Sequence, residues 1–515
     1  MPTSRVAALS ELPENEPVGV KVGDVPVVLV RQADRVHALA GLCPHKKVPL
    51  DKGIVSGGRI VCGIHRAAFD LQSGEVVEPP ACESLARYEV TIEDDDVSVS
   101  VPHGHEPHPI PPMASRTAGT PDERHFVIVG AGAAGWTAAE TLRREGFGGR
   151  ITVIDREEPL PYDRTDLSKS FLASDDPKPG WRRDEAFLGE HDIALKHGTV
   201  ESVNFDAKRV VLRGGEHFAY DAILLAPGSS ARELNVPGSD LEGIHTLRSL
   251  EDAKALRADL DALEGDVSVV VIGGGFIGME GAASLSGRDG VSVTVVMPDE
   301  VPFRAVVGQE MGRHIRQEHE AEGVSFVTGE ERGAVSGFRG NGRVEAVETK
   351  SGDPIPARLV IVGIGAAPAT GWLDLETDDD GGLAVGADLA VPNVESAWAA
   401  GDIARLPTRW GTARIEHWRH AQQLGALAAR NMLGRNEEYA EAPFFWTAQQ
   451  IDGSYFYTGH ATDWDEARVE GDVASGQFVT RYVKDGKVMA TFGHGKLAEQ
   501  ARIEREMAER GPLPA

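Results

Sequence analysis

The sequence predicts a multidomain α/β chain: an all-β module at the N-terminus, two dinucleotide-type βαβ folds in the middle and an α+β domain at the C-terminus. Three observations carry this. Cys43-x-His45 and Cys62-x-x-His65, with sixteen residues between them, set one thiolate and one imidazole on each of two loops. Gly130, Gly132 and Gly135 stand in GxGxxG order between an apolar strand and a helix, and Gly273, Gly275 and Gly278 repeat the pattern. The length of 515 residues exceeds what one hydrophobic core serves.

The first module is read from its ligand spacing. Paired Cys and His suit a [2Fe-2S] centre with two thiolates on one iron and two imidazoles on the other, the Rieske arrangement. Mononuclear zinc is the alternative, but it favours CxxC pairs and tight helical His spacing, which this segment lacks. The words CPHKKVPL and CGIHRAAFDLQSGEVVEPPA resemble a Rieske ferredoxin over about residues 4–101. By that resemblance the metal ligands are Cys43, His45, Cys62 and His65. High-potential Rieske proteins carry a disulfide at the positions matching Lys47 and Ile64, and hydroxyl donors at those matching Ala67 and Phe69. Neither is present, which implies a low, ferredoxin-like potential. Cys82, the remaining cysteine, reads as a structural thiol.

After Val101 the run PHGHEPHPIPPMASRTAGTPDE reads as an extended linker over residues 102–124. Its His103, His105 and His108 read as solvated spacer.

The run HFVIVGAGAAGWTAAETLRREGFGGRITVIDRE then reads as strand, glycine turn, helix and strand. Gly130 serves the tight turn, Gly132 lets backbone approach a pyrophosphate at the helix N-terminus, and Gly135 lets the helix pack closely. Asp155, twenty residues past Gly135, is placed to accept from a ribose hydroxyl. In the second copy, VSVVVIGGGFIGMEGAASLSGRDGVSVTVVMPDE, the strand ends on Met297 in place of an acid, with Asp299 and Glu300 following. This favours NADH, while nearby Arg304 keeps NADPH open.

Between and after these copies, PYDRTDLSKSFL, SAWAAGDIA, RIEHWRHAQQLGALAARNMLG and PFFWTAQ resemble the flavoprotein ferredoxin reductases of oxygenase systems and, more closely, apoptosis-inducing-factor-like reductases with an N-terminal Rieske domain. The resemblance covers about residues 124–450 and makes the first nucleotide FAD. It implies that Asp402 holds the ribitol, Arg164 and Lys169 line the flavin, and Trp418 and Trp446 flank its pyrimidine side, with His417 among the cofactor-binding residues. Thr165, Pro227 and Ala448 depart from the family pattern, which has proline, a small polar residue and an acid there. Lys169 and Glu280 are read as an ion pair near flavin N5 that positions the reactants, with a surface lysine and a helix-start glutamate as the plainer alternative.

The resulting order is a Rieske domain over 1–101, the linker, an FAD-binding part over 125–246, an NAD(P)H-binding domain of the same Rossmann-like, glutathione-reductase type over 247–369, a second FAD-binding part over 370–440 and a C-terminal reductase or dimerisation domain over 441–515. In the last, QFVTRYVKDGKVMATF alternates around a DG turn and KLAEQARIEREMAERG reads as an amphipathic helix. Fifty-two basic against 80 acidic residues, a formal net charge of −28, repel nucleic acid and anionic lipid. No apolar run is long enough to span a membrane, and the first residues lack a signal pattern, so a cytoplasmic protein is expected, monomeric or homodimeric. With three cysteines and no CxxC, dithiol chemistry is excluded. The expected activity is an FAD-dependent NAD(P)H oxidoreductase passing electrons through its own [2Fe-2S] cluster to an acceptor protein such as a terminal oxygenase. The alternative is an NADH-responsive redox sensor with slow turnover. Lys46 and Lys47 offer a docking charge for an acidic acceptor, with plain solvation as the other reading.

Overall fold

The computed structural model describes residues 3–116, 122–449 and 453–515. The N-terminal module packs a six-stranded antiparallel sheet against a four-stranded one. The larger runs in the order Thr3–Ala8, Asp96–Ser100, Arg87–Glu93, Arg35–Ala40, Val25–Gln32, Pro17–Val22. Alternation shapes its Asp96–Ser100 strand, where Val97 and Val99 are fully buried and Asp96, Ser98 and Ser100 are not, whereas Leu29 and Leu39 lie in runs buried at successive residues. The smaller sheet, Ile54–Ser56, Arg59–Val61, Ala68–Asp70 and Val76–Glu78, carries the second ligand loop between its second and third strands.

The proline-rich stretch differs from the expected solvated spacer. Ser84 and Ala86 donate their N–H groups to the Pro109 and Pro107 carbonyls, both at 2.9 Å, so the stretch lies along the module. Prolines hold the chain extended with carbonyls unclaimed, which suits them to satisfy such donors. His108 reaches the first ligand loop, its ring nitrogens 2.8 Å from the Leu42 carbonyl and 2.9 Å from Lys47 Nζ.

Two parallel sheets follow. In the first, His125–Val129 lies between Arg150–Asp155 and Ala222–Leu225, with Ile193–His197 and Ala397–Ala399 outermost. Its central strand is buried on both faces, as a sheet covered by crossovers requires. Helix Ala133–Arg144 leaves the glycine turn and crosses helix Trp418–Met432 so closely that a Cβ at Gly425 would lie 2.1 Å from the Ala134 carbonyl oxygen. The second sheet orders Ile244–Thr246, Leu359–Val362, Val267–Ile272, Val291–Met297 and Ser325–Thr328.

The C-terminal domain is an antiparallel sheet beginning with Phe444–Ala448 and Ser454–Gly459 and covered by helix Leu497–Arg510. That helix sets Ala498 and Ala501 against Ile54, Val61 and Ala68 of the N-terminal module. Phe444, Trp446 and Phe456 continue the contact with Ile64 and Leu497. The N-terminal module therefore sits in the corner between the first parallel sheet's helix and the C-terminal domain.

Candidate functional site

The two ligand loops are built alike. Cys43 and Cys62 donate their N–H groups across each loop to the Val48 and Ala67 carbonyls at 2.8 Å, and each loop turns on a left-handed residue, Lys47 at φ 55° and Arg66 at φ 64°. The turns bring the expected ligand residues together in pairs, Cys43 with Cys62 and His45 with His65. The two thiols share a hydrogen bond with Cys43 as donor, which raises Cys43 and lowers Cys62 to about 7. The two imidazoles present Nδ1 to Nδ1 at 3.1 Å. Burial keeps both rings neutral, the form in which histidine binds metal. No three His, Cys, Asp or Glu side chains converge as a single-ion site among the described residues. A thiol pair beside an imidazole pair fits two metal ions, one per pair, better than one tetrahedral zinc.

A cavity of about 1070 Å³ runs between the two parallel sheets, larger than the usual small-molecule pocket of roughly 300–1,000 Å³. Gly130, Gly132, Asp155, Arg164, Lys169, Gly275, Glu280, Asp402, His417, Trp418 and Trp446 all line it. Gly135, Gly273 and Gly278 stand just behind. A Cβ at Gly135 or Gly278 would lie 1.9 or 2.2 Å from the carbonyl oxygen of Gly130 or Gly273, so each helix can start only with glycine there. Gly130 and Gly273 themselves adopt φ of 99° and 110°. Around Gly132 and Gly275 a Cβ meets nothing within 4 Å, leaving backbone open where a pyrophosphate would lie.

Polar groups inside the cavity suit a ligand with a polar edge. His417 Nδ1 and Trp418 Nε1 are buried and have no hydrogen-bond partner among the described residues. Burial, then the charges of His420, Arg419 and Lys169, hold His417 neutral down to about 3. Lys169 Nζ lies 2.8 Å from Glu280 Oε2. Glu280 is further held by Ser168 Oγ at 2.6 Å and Thr447 Oγ1 at 2.8 Å. Asp402 Oδ2 accepts from Ser229 Oγ at 2.7 Å and from Arg248 at 2.8 Å, a guanidinium that no motif marks. Arg164 pairs with Glu157 at 2.7 Å. Burial, then Glu157, pushes the Asp155 carboxyl up. Exposed Arg304 faces Asp299 at 3.7 Å beyond the second glycine turn.

Trp446 joins the two sites. Its indole centre is 4.4 Å from the His65 ring and 4.4 Å from the His417 ring, and it lines the cavity from the other side. The lysines beside the first ligand loop face inward contacts. Lys46 Nζ pairs with Asp166 at 2.8 Å and Lys47 with His108, so neither stands as a purely solvated charge. Cys82 is half-buried against Arg182, and desolvation of its thiol pushes it up to about 11.

Residues 124–425 match the family model described as pyridine nucleotide-disulphide oxidoreductase, and residues 3–89 match that of the Rieske [2Fe-2S] domain. The chain is a Rieske-bearing member of the pyridine nucleotide-disulphide oxidoreductase family. This oxidoreductase is 35% identical to apoptosis-inducing factor 3 of Homo sapiens over 94% of its own length and 80% of the relative's. It is 36% identical to the biphenyl dioxygenase system ferredoxin–NAD(+) reductase component of Paraburkholderia xenovorans (strain LB400), across 71% of this chain and 88% of that one. A covalent putidaredoxin reductase–putidaredoxin complex superposes with a TM-score of 0.70 at 27% identity, over 76% of this chain and 94% of the other. The oxidoreductase thus takes FAD and a nicotinamide nucleotide in its reductase part and a [2Fe-2S] cluster in its Rieske part. It is an FAD-dependent NAD(P)H oxidoreductase of ferredoxin reductase type. Among the described residues no helix is long and apolar enough to cross a membrane.

Proposed function

We propose that this oxidoreductase carries electrons from NADH to its own Rieske cluster and then to an acceptor protein in the cytoplasm, such as an oxygenase component. FAD, when bound, takes up a hydride and releases electrons singly, which is the conversion a one-electron cluster needs. The observation that carries the reading is Trp446, an aromatic ring between the ligand His65 and the flavin cavity.

The residues around the cavity have positioning roles in this reading. The N-terminus of helix Trp418–Met432 directs free N–H groups and a positive dipole end at the cavity, favouring negative charge there. Neutral His417 adds no charge of its own. Hydride transfer requires no enzyme base, so the Lys169–Glu280 pair orients the nicotinamide against the flavin and helps exclude water. The acidic Asp299 and Glu300 favour a free ribose hydroxyl, hence NADH.

The test is anaerobic addition of NADH to purified holoprotein, following flavin absorbance and the electron paramagnetic resonance signal of the cluster together. Flavin bleaching followed by growth of a Rieske signal is expected. A bleached flavin beside a cluster that stays oxidised would overturn the internal route and favour the sensor reading.

A further inference from the structure

The outer nitrogen of one cluster ligand is answered from another domain. With the two Nδ1 atoms turned toward each other, His45 presents Nε2 outward, where it has no hydrogen-bond partner among the described residues. Metal-bound histidines almost always direct the second ring N–H at a carboxylate, carbonyl or water. Here the facing group is Asp163 of the FAD-binding part, with Oδ2 at 3.8 Å and both side chains sealed at 5% and 6% exposure.

Asp163 is held for this position. Its Oδ1 takes the Thr165 N–H at 3.0 Å and the Thr165 hydroxyl at 2.7 Å, and its own N–H donates to the Gly180 carbonyl at 2.7 Å. A proline at position 165 could make neither of the first two bonds. Oδ2 is thereby left for His45. Three residues on, Asp166 grips Lys46, so the 163–166 turn holds the ligand histidine and its neighbour at once.

We propose that Asp163 is a positioning residue that completes the outer sphere of the cluster from the flavin side and lowers the electron affinity of the docked cluster. A fixed carboxylate beside a ligand opposes the negative charge that one added electron brings, with no bond made or broken. By linkage, the oxidised module is held on the flavin domain more tightly than the reduced one by the same factor, so loading the electron loosens the grip. The inference builds on the electron route proposed above, but its test does not use that route.

The experiment is an equilibrium redox titration of the full holoprotein with dithionite and mediators, reading the Rieske resonance signal. Asp163→Asn keeps the shape and removes the charge. It should raise electron affinity about tenfold, a shift of about 59 mV for a one-electron couple, with the signal changed in g-values. Thr165→Ala, which removes one anchor of the carboxylate, should shift the potential in the same direction by less. It decides the matter if the first variant does not load its cofactors. An unchanged potential in a variant with intact flavin and cluster would overturn the proposal. A cluster reducible by dithionite but not by NADH would instead count against the electron route alone.

Discussion

Arg419 and Glu504 face each other at 3.5 Å with both side chains closed to solvent. Arg419 belongs to the helix at the flavin cavity and Glu504 to the C-terminal helix, while Arg419 Nε also donates to the Pro79 carbonyl of the Rieske module at 3.1 Å. One guanidinium thus ties three domains. Removing one member of a buried pair strands the other, so Glu504→Leu should cost about 3–5 kcal/mol. Denaturant titration of the holoprotein measures it, and a loss within the surface-pair range of about 0–1 kcal/mol would refute the placement.

A pH dependence follows from His420. Burial, then Arg419, lowers this imidazole to about 4. The folded value lies below the unfolded one of roughly 6.5, so between them the unfolded chain binds more protons and stability rises with pH. The contribution is complete above about pH 6.5 and is lost as pH falls toward 4, at up to about 1.4 kcal/mol per pH unit. His420→Gln should flatten that limb in melting curves taken across the range.

Replacing Trp446 by alanine should leave flavin bleaching by NADH fast and slow the appearance of the cluster signal by roughly tenfold or more, the effect of about 1.4 kcal/mol in barrier. Rapid freezing after mixing resolves the two events. Equal rates in both proteins would remove the indole from the route.

Lys169→Ala should act on the earlier event. With Glu280 left on Ser168 and Thr447 alone, nicotinamide alignment loosens, and flavin reduction is expected to slow by up to about 100-fold. Stopped-flow absorbance at saturating NADH reads this, and an unaltered limiting rate would return the lysine to a surface role.

The glycines should divide into two kinds. Gly132→Ala meets no protein atom within 4 Å and should fold normally, yet its methyl enters the pyrophosphate position and weakens FAD retention. Gly135→Ala places a Cβ 1.9 Å from the Gly130 oxygen and should lower the melting temperature itself. Flavin content and apoprotein melting, measured on both variants, separate the effects.

Much of this was legible because it is local. Cys43, His45, Cys62 and His65 announce a cluster by spacing, and each glycine turn occupies six consecutive residues. The contacts between domains were not. Nothing in PYDRTDLSK says that Asp163 and Asp166 meet His45 and Lys46, because the partners lie more than a hundred positions away and only docking brings them together. Arg66, Arg419 and Glu504 look like surface charges on amphipathic segments until the modules close over them. His108 read as spacer because a proline-rich run carries no periodic pattern, although its carbonyls serve the module's edge.

The docked pose also insulates. Cys43 and Cys62 are 2% and 1% exposed, and the imidazole edge is pressed against Trp446 and Asp163. Dissolved oxygen meets folded protein before it meets the cluster, and a closed site suppresses side reactions. On the proposed electron route, this shielding keeps electrons from leaking into superoxide and peroxide before an acceptor arrives.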